Sequence, residues 1–392
     1  MEFFRLALRD QAKAIELLEC TSSVKERKTM VNYSTLGHTL LHICALTDDD
    51  HFVRILHHHG AIFKFDTTGM TPGMIATKCS AWNVLRTFFD LGYIVDLAGC
   101  DDYIRIFMRY DVTEFLERCV TKKLEQLLDV DNRTMVNYLS NTLLEGIGYN
   151  SLKSLSIFFS MIRNTINDKW QKVIFTSVFC CACSLNTLNI EAFSLLLNSG
   201  ALPLMKISTS HSLSNSPFEA VFDIHRRHEH SLPNLSKLYV LISSHVLKAV
   251  KENRNLHISA MAEWTMCMRH AVTSCHTSAV LSLIALRNEI QRVVGIGTDD
   301  DMTRSLVDAI TFYSRCPSRK KELTGKIINI ILLSGADRYS KYDGRTAYNH
   351  AKGRINAYMA DRIRFLEKHV TLFELCDVKL QVIEYEELVR KD

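Results

Sequence analysis

The chain is poor in residues that break helices or loosen linkers, with 5 prolines and 15 glycines in 392 residues. That scarcity excludes a Pro- or Gly-rich linker and a low-complexity tract, and it favours one continuous elongated array. Net charge is equally scarce. Lys and Arg number 47 against 43 Asp and Glu, leaving +4, too small and too dispersed for a nucleic-acid footprint or a polybasic membrane anchor. The expected partner is a protein, with no nucleic acid and no membrane. Met1 to Arg5 lead into an amphipathic segment that lacks the apolar stretch and small-residue site of a secretory signal. The expected location is therefore cytoplasmic, with the nucleus also open, and the 12 cysteines are expected as reduced thiols.

Motifs of catalysis are missing too. There is no Gly-x-Ser-x-Gly elbow and no His-Glu-x-x-His element. Gly295 to Asp301 lacks the Lys-Ser/Thr ending of a phosphate loop and reads as a turn whose aspartates cap a helix near Met302. Three groups carry metal-ligand residue types: His57 to His59, Cys180 to Cys183, and His225 to His230. None has the paired spacing of a four-ligand zinc site. The second reads as buried helical thiols, the first as imidazoles at a helix carboxyl end, and the third as a solvated loop. No enzyme, cofactor or metal is expected. One run, Val173 to Ile190, has no charge over 18 residues, but Asn186, Thr187 and Asn189 near its end favour two helices around a loop over a membrane span.

What is present is apolar residue at helical spacing. Hydrophobic residues make up 47% against 23% charged, enough to bury a core. Gly37-His38-Thr39-Leu40-Leu41-His42-Ile43-Cys44-Ala45 recurs, 32 residues on, as Gly69-Met70-Thr71-Pro72-Gly73-Met74-Ile75-Ala76. Each copy precedes a second apolar segment ending in glycine, at Gly60 and Gly92, also 32 apart. Similar endings return at Phe193 to Ala201 and Ile330 to Asp337. Similar openings return at Ser216-Pro217 and at Asp343-Gly344-Arg345-Thr346-Ala347. The intervals Gly92 to Gly200 and Gly200 to Gly335, 108 and 135 residues, fit three and four slightly lengthened units, giving about nine or ten in all.

These segments resemble the ankyrin family, whose repeat of about 33 residues opens on Thr-Pro-Leu-His-x-Ala. The likeness is specific over residues 37 to 99 and 327 to 352, and architectural elsewhere. It implies an all-α fold, an ankyrin-repeat solenoid of stacked helix-turn-helix units. In it Thr39 caps the first helix of its unit, His42 ties neighbouring loops, and Cys44 and Ala45 allow close packing. The second copy has Gly73-Met74 where Leu-His is expected, which puts its loop network in question. The expected layout is an amino-terminal capping repeat over 1–36, two clear repeats over 37–100, divergent repeats over 101–300, further repeats over 301–370 and a capping helix or tail over 371–392. In the cap, Phe3, Phe4, Leu6, Leu8, Ile15 and Leu17 are expected inward, with Arg5, Arg9, Lys13 and Glu16 in water.

After a helix expected over Ala357 to Lys368, Thr371 to Leu380 is similar to the elongin-binding box of ankyrin and SOCS-box proteins. Leu372, Cys376 and Leu380 form one stripe at i, i+4 and i+8. The resemblance implies elongins B and C with a cullin as partners, although no Leu-Pro-x-Pro segment follows; the same three residues equally suit a capping role. The expected function is a non-enzymatic scaffold that binds a partner protein through the concave face of the solenoid, with contacts at Tyr33, Lys64, Phe65, Tyr342 and Arg345. The alternatives are a substrate adaptor of an elongin and cullin ubiquitin ligase, and a membrane- or cytoskeleton-tethered scaffold.

Overall fold

The computed structural model describes residues 2–94, 100–113, 115–185, 188–209, 212–227, 234–295, 300–336, 341–342, 345–346, 349 and 372–391. Its architecture is all-α, relieved by two short two-stranded hairpins. The chain divides into two compact units at Ile166.

The first unit runs α1 Glu2–Arg9, α2 Gln11–Cys20, α3 Val24–Val31, α4 Leu40–Thr47, α5 Asp50–His58, α6 Pro72–Lys78, α7 Trp82–Asp90, α8 Cys100–Tyr110, α9 Leu116–Leu128, α10 Asn132–Gly148 and α11 Leu152–Thr165. First helices pack on first helices, α4 on α6, α6 on α8 and α8 on α10, while α5 packs on α7 and α9 on α11. Each pair thus covers the apolar flank that a lone helix pair leaves bare.

The joint inside each pair has one geometry. Asp48, Ser80, Asp111 and Asn150 all sit in the left-handed region, with φ of 53°, 57°, 53° and 60°. The next N–H then returns to a carbonyl five residues back, as Asp49 to Cys44 at 3.2 Å, Ala81 to Ala76 at 2.8 Å, Val112 to Phe107 at 2.9 Å and Ser151 to Gly146 at 3.0 Å. Short polar side chains tolerate this conformation better than most residues with a Cβ, and the bond satisfies a carbonyl that the ending helix would orphan. The two aspartates also serve the following pair. Asp48 accepts the Val84 N–H at 3.1 Å, and Asp111 accepts the Ser154 N–H at 2.8 Å. Each caps the second helix of its neighbour.

The amino-terminal cap departs from expectation in its register. Asp10 breaks the segment and accepts the Lys13 N–H at 3.2 Å, so α2 restarts the helical period. Phe3, Phe4 and Ala7 are buried on α1 and Ala14 and Leu18 on α2, whereas Leu8 and Leu17 are 52% and 41% exposed. Leu6 and Ile15 are half-buried.

The second unit runs α12 Asp168–Ala182, α13 Ile190–Asn198, β1 Ile207–Thr209, β2 Ser212–Asn215, α14 Pro217–Arg227, α15 Leu235–Glu252, α16 Leu256–Thr273, α17 Thr277–Val294, α18 Asp300–Arg315, α19 Ser318–Leu333, β3 Lys341–Tyr342, β4 Arg345–Thr346 and α20 Leu372–Lys391. Strands β1 and β2 pair antiparallel with Ile207 opposite Asn215, and β3 and β4 with Tyr342 opposite Arg345. The uncharged run from Val173 covers the later part of α12 and ends at Ile190, the first residue of α13, and among the described residues no helix is long and apolar enough to cross a membrane. Cys275 repeats the left-handed joint, with φ 61° and His276 N–H bonded to Ala271 at 3.0 Å.

Units here are longer than the 32-residue spacing of residues 37 to 92. Ties between the early pairs, such as Asn32 with Gly60 and His57 with Tyr93, join residues 28 and 36 apart, and Asp111 with Ser154 already spans 43. In the second unit they join Ser243 with Ser282, 39 apart, and Cys275 with Thr324, 49 apart. Helices of 16 to 18 residues, α15 to α19, account for the difference.

Helix α20 has no counterpart among the pairs. It lies against α17 and α15, and more lightly against α19. With α15, α16, α19 and α20 around it, α17 is buried on every side from Ala279 to Arg287. Among the described side chains of α20, Val382, Glu386 and Val389 are buried, one stripe at i, i+4 and i+7. The helix expected over Ala357 to Lys368 lies outside the described residues.

Candidate protein-interaction surface

Thr39 is the N-cap of α4. Its N–H donates to His42 Nδ1 at 3.0 Å, and its hydroxyl lies 2.9 Å from the same nitrogen. With Nδ1 accepting, the ring proton sits on Nε2, which donates to the Met70 carbonyl of the next loop at 3.2 Å. His42 is buried, and burial holds its pKa below the usual imidazole value. Asp66 organises the receiving loop. Its carboxylate accepts the Thr68 N–H at 2.8 Å, the Thr68 hydroxyl at 2.7 Å and the Met70 N–H at 2.9 Å. Burial opposes that charge, yet these bonds and His38 at 3.5 Å prevail and lower its pKa to about 2.

In the second copy, where the sequence lacks the tying histidine, Tyr103 of α8 takes the space. Its phenol bonds the Thr71 hydroxyl, while that hydroxyl caps Met74 N–H at 3.2 Å. A Cβ on Gly73 would stand 2.7 Å from the Tyr103 oxygen. The glycine at the Leu position is thus the complement of the tyrosine. Ser216 and Thr346 cap in the same way, accepting the Glu219 and Asn349 N–H groups at 3.1 and 3.3 Å.

The loop tips stand on this network. Thr35 and His38 exchange both backbone bonds at 3.0 Å around Leu36 and Gly37, whose φ are 53° and 80°. Thr67 Oγ1 donates to the Leu36 carbonyl at 3.0 Å. Leu36 is 79% exposed and Phe65 55%, while Lys64 is half-buried. Tyr33 is not on a free tip: it is half-buried, with its ring edge-on to Phe4 at 5.9 Å. Arg345 is exposed and pairs across the hairpin with Tyr342, whose side chain lies outside the described residues.

Next to the loop of Asp66 lies a groove of about 390 Å³ that the sequence did not single out. Met70 and Met74 line it from α6 and its loop, Arg105, Ile106 and Arg109 from α8, and Glu145 and Tyr149 from α10 and its end. Arg105 and Arg109, one turn apart on a helix whose buried face is Tyr103, Ile104, Phe107 and Met108, were the available signal.

At the carboxyl end, Leu380 is 59% exposed, and the side chains of Leu372 and Cys376 lie outside the described residues. Cys180 and Cys183 are buried in and at the end of α12, and His225 belongs to α14. His228 to His230 lie outside the described residues. Among the described residues no group of three or more His, Cys, Asp or Glu could hold a metal ion. Set against known proteins, the chain matches no family model, and no curated protein matches it.

Proposed function

We propose that the chain is a non-enzymatic scaffold of divergent, lengthened ankyrin-like repeats that holds a partner protein on its loop tips and adjoining first helices. The recurring left-handed joints and the His42 tie between loops support the repeat reading. The observation that carries the function is Leu36. A two-residue turn of this kind prefers Asn-Gly, and a bulky residue at positive φ costs about 1 kcal/mol. Here a leucine bears that cost while 79% exposed, and such strain gathers where a contact outside the fold uses it.

The test exploits the strain. Leu36→Asn restores the preferred turn and is expected to keep or raise thermal stability. The same change combined with Phe65→Ser is expected to lose a protein that the parent chain retains in quantitative affinity capture. Retention of every captured protein by the double variant overturns the reading.

One observation favours the adaptor role as a second reading. On α20, Leu380 and Ile383 are 59% and 49% exposed while the opposite stripe is docked. An exposed apolar pair of this kind suits a hydrophobic groove such as that of an elongin. Co-purification with elongins B and C, abolished by Leu372→Ala with Cys376→Ala, decides it.

A further inference from the structure

The groove over α6, α8 and α10 has a charge arrangement that selects its occupant. Arg105 is bound to Glu145 at 3.6 Å, both partners being partly exposed. Arg109 has no carboxylate partner among the described residues. Its guanidinium carbon lies instead 5.2 Å from the ring centre of Tyr149 and 5.9 Å from that of Tyr110. Lys78 adds a third cation, its ammonium 3.6 Å from the Met70 sulfur. Two cations and one acid therefore line the groove, with Lys78 beside it, over a floor that includes Met70, Met74 and Ile106.

Stacking on tyrosine faces holds the guanidinium plane while leaving its donors open. That preorganises Arg109 for a bidentate bond to a planar carboxylate. Methionine beside it makes an adaptable apolar floor. A floor with that much apolar surface is a poor match for a chain of phosphates and a good one for a peptide in which an acid neighbours an apolar side chain.

We propose that this groove binds an acidic segment of a partner protein, one Asp or Glu carboxylate pairing with Arg109 and an adjacent apolar side chain resting on Met70, Met74 and Ile106. The proposal rests on the scaffold reading and deepens it, since the groove adjoins the loop beneath Phe65. Arg105, already paired, steers the incoming acid and loosens from Glu145 as it arrives.

The test is selection from a random octapeptide library on the full chain, followed by fluorescence polarisation of the enriched peptides. Enrichment of Asp or Glu next to an apolar residue is expected. Arg109→Ala should weaken the selected peptide about tenfold or more, as truncation of an interface hot spot does. Arg109→Lys should weaken it several-fold by losing the planar fork, and high salt should weaken it further. Arg118→Ala, an exposed cation on α9, should leave affinity unchanged. Circular dichroism melts confirm that the variants fold. Absence of an acidic motif, enrichment of basic peptides, an unchanged affinity in Arg109→Ala, or tighter binding of an oligothymidylate competed by the same peptide each overturns the proposal. The scaffold reading fails separately, on the Leu36 and Phe65 variants, whose loop tips the peptide assay does not use.

Discussion

Arg390 of α20 places its guanidinium 2.7 Å from the carboxylate of Glu289 on α17, a side chain only 4% exposed. Arg292 bonds Glu289 as well and reaches Glu386 at 3.5 Å, while Asn288 donates to Glu386 at 3.0 Å. Two acids and two bases thus join the helices, and neither buried carboxylate lacks a cation. A buried charge is tolerable only in such company.

Removing one member should show this. Arg390→Ala leaves Glu289 with Arg292 alone and should cost about 2 kcal/mol, the range for a charge-assisted hydrogen bond to a buried acid. Urea unfolding of the full chain measures it. Glu387→Ala, an exposed change on the same helix, should stay within about 0.5 kcal/mol. Hydrogen exchange should rise along α20 and α17 in Arg390→Ala. Unchanged exchange there would mean that the ion pairs of Arg390 do not hold the helix.

Glu263 on α16 gives the second prediction. Burial is the main cause that raises its pKa to about 7 from an ordinary 4.5, against the hydrogen bond from Ser216, which lowers it, as Lys206 also does, while Glu219 adds to the rise. The folded chain therefore holds a proton that the unfolded chain has released between pH 4.5 and about 7. Stability must fall as pH rises through that window, by up to about 3 kcal/mol. Glu263→Gln keeps a neutral hydrogen-bonding group, so it should flatten the fall and be the more stable protein at about pH 8. Parallel unfolding curves across the window check this, and equal slopes in the two proteins would remove Glu263 as the cause.

The left-handed joints permit a cleaner separation of backbone from side chain. Asp48→Gly keeps an easy route to φ 53° but loses the bond from the Asn83 side-chain amide at 3.0 Å and the cap on the Val84 N–H at 3.1 Å. It should cost about 1 kcal/mol. Asp48→Ala loses both bonds and adds the strain of a Cβ, about 1 kcal/mol more. A thermal melt that ranks alanine above glycine would contradict this account of the joint.

How much of this the residues announced varies along the chain. Thr39, His42, Cys44 and Ala45 lay where a familiar spacing put them, because a capping hydroxyl and a tying imidazole leave a local signature. The glycine endings were equally legible: Gly60, Gly200 and Gly335 all take positive φ, and the alanine after each is buried. Asp48, Ser80, Asp111, Asn150 and Cys275 share a conformation across four residue types, so no single residue type marks the joint. Leu8 and Leu17 were misplaced because one period was drawn through Asp10, where the helix restarts. The groove escaped notice because its residues come from three helices, with Met70 and Tyr149 far apart in sequence, and only packing of successive pairs brings them together. The carboxyl-terminal stripe was read within ten residues, whereas α20 spans Leu372–Lys391 and also buries Val382, Glu386 and Val389 beyond them.

His42 provides the last prediction, because both of its ring nitrogens are engaged. Nδ1 accepts from Thr39 and Nε2–H donates to Met70, an arrangement that only the neutral ring can make. Burial is the chief cause that lowers its pKa from the ordinary 6.5. The stabilisation is therefore full above pH 6.5 and is lost as pH falls below it, when the unfolded chain takes up a proton that the folded ring refuses. His42→Leu should cost about 2 kcal/mol near neutrality, since the Thr39 N–H and the Met70 carbonyl lose their partner. It should also abolish the part of the acid sensitivity that the imidazole supplies. Hydrogen exchange at Thr39 and across the loop of Asp66, compared at about pH 5 and 7 by a method corrected for intrinsic rates, reads both effects. If the parent and the variant lose protection in parallel as the solution is acidified, the tie between the two loops does not depend on the neutral ring.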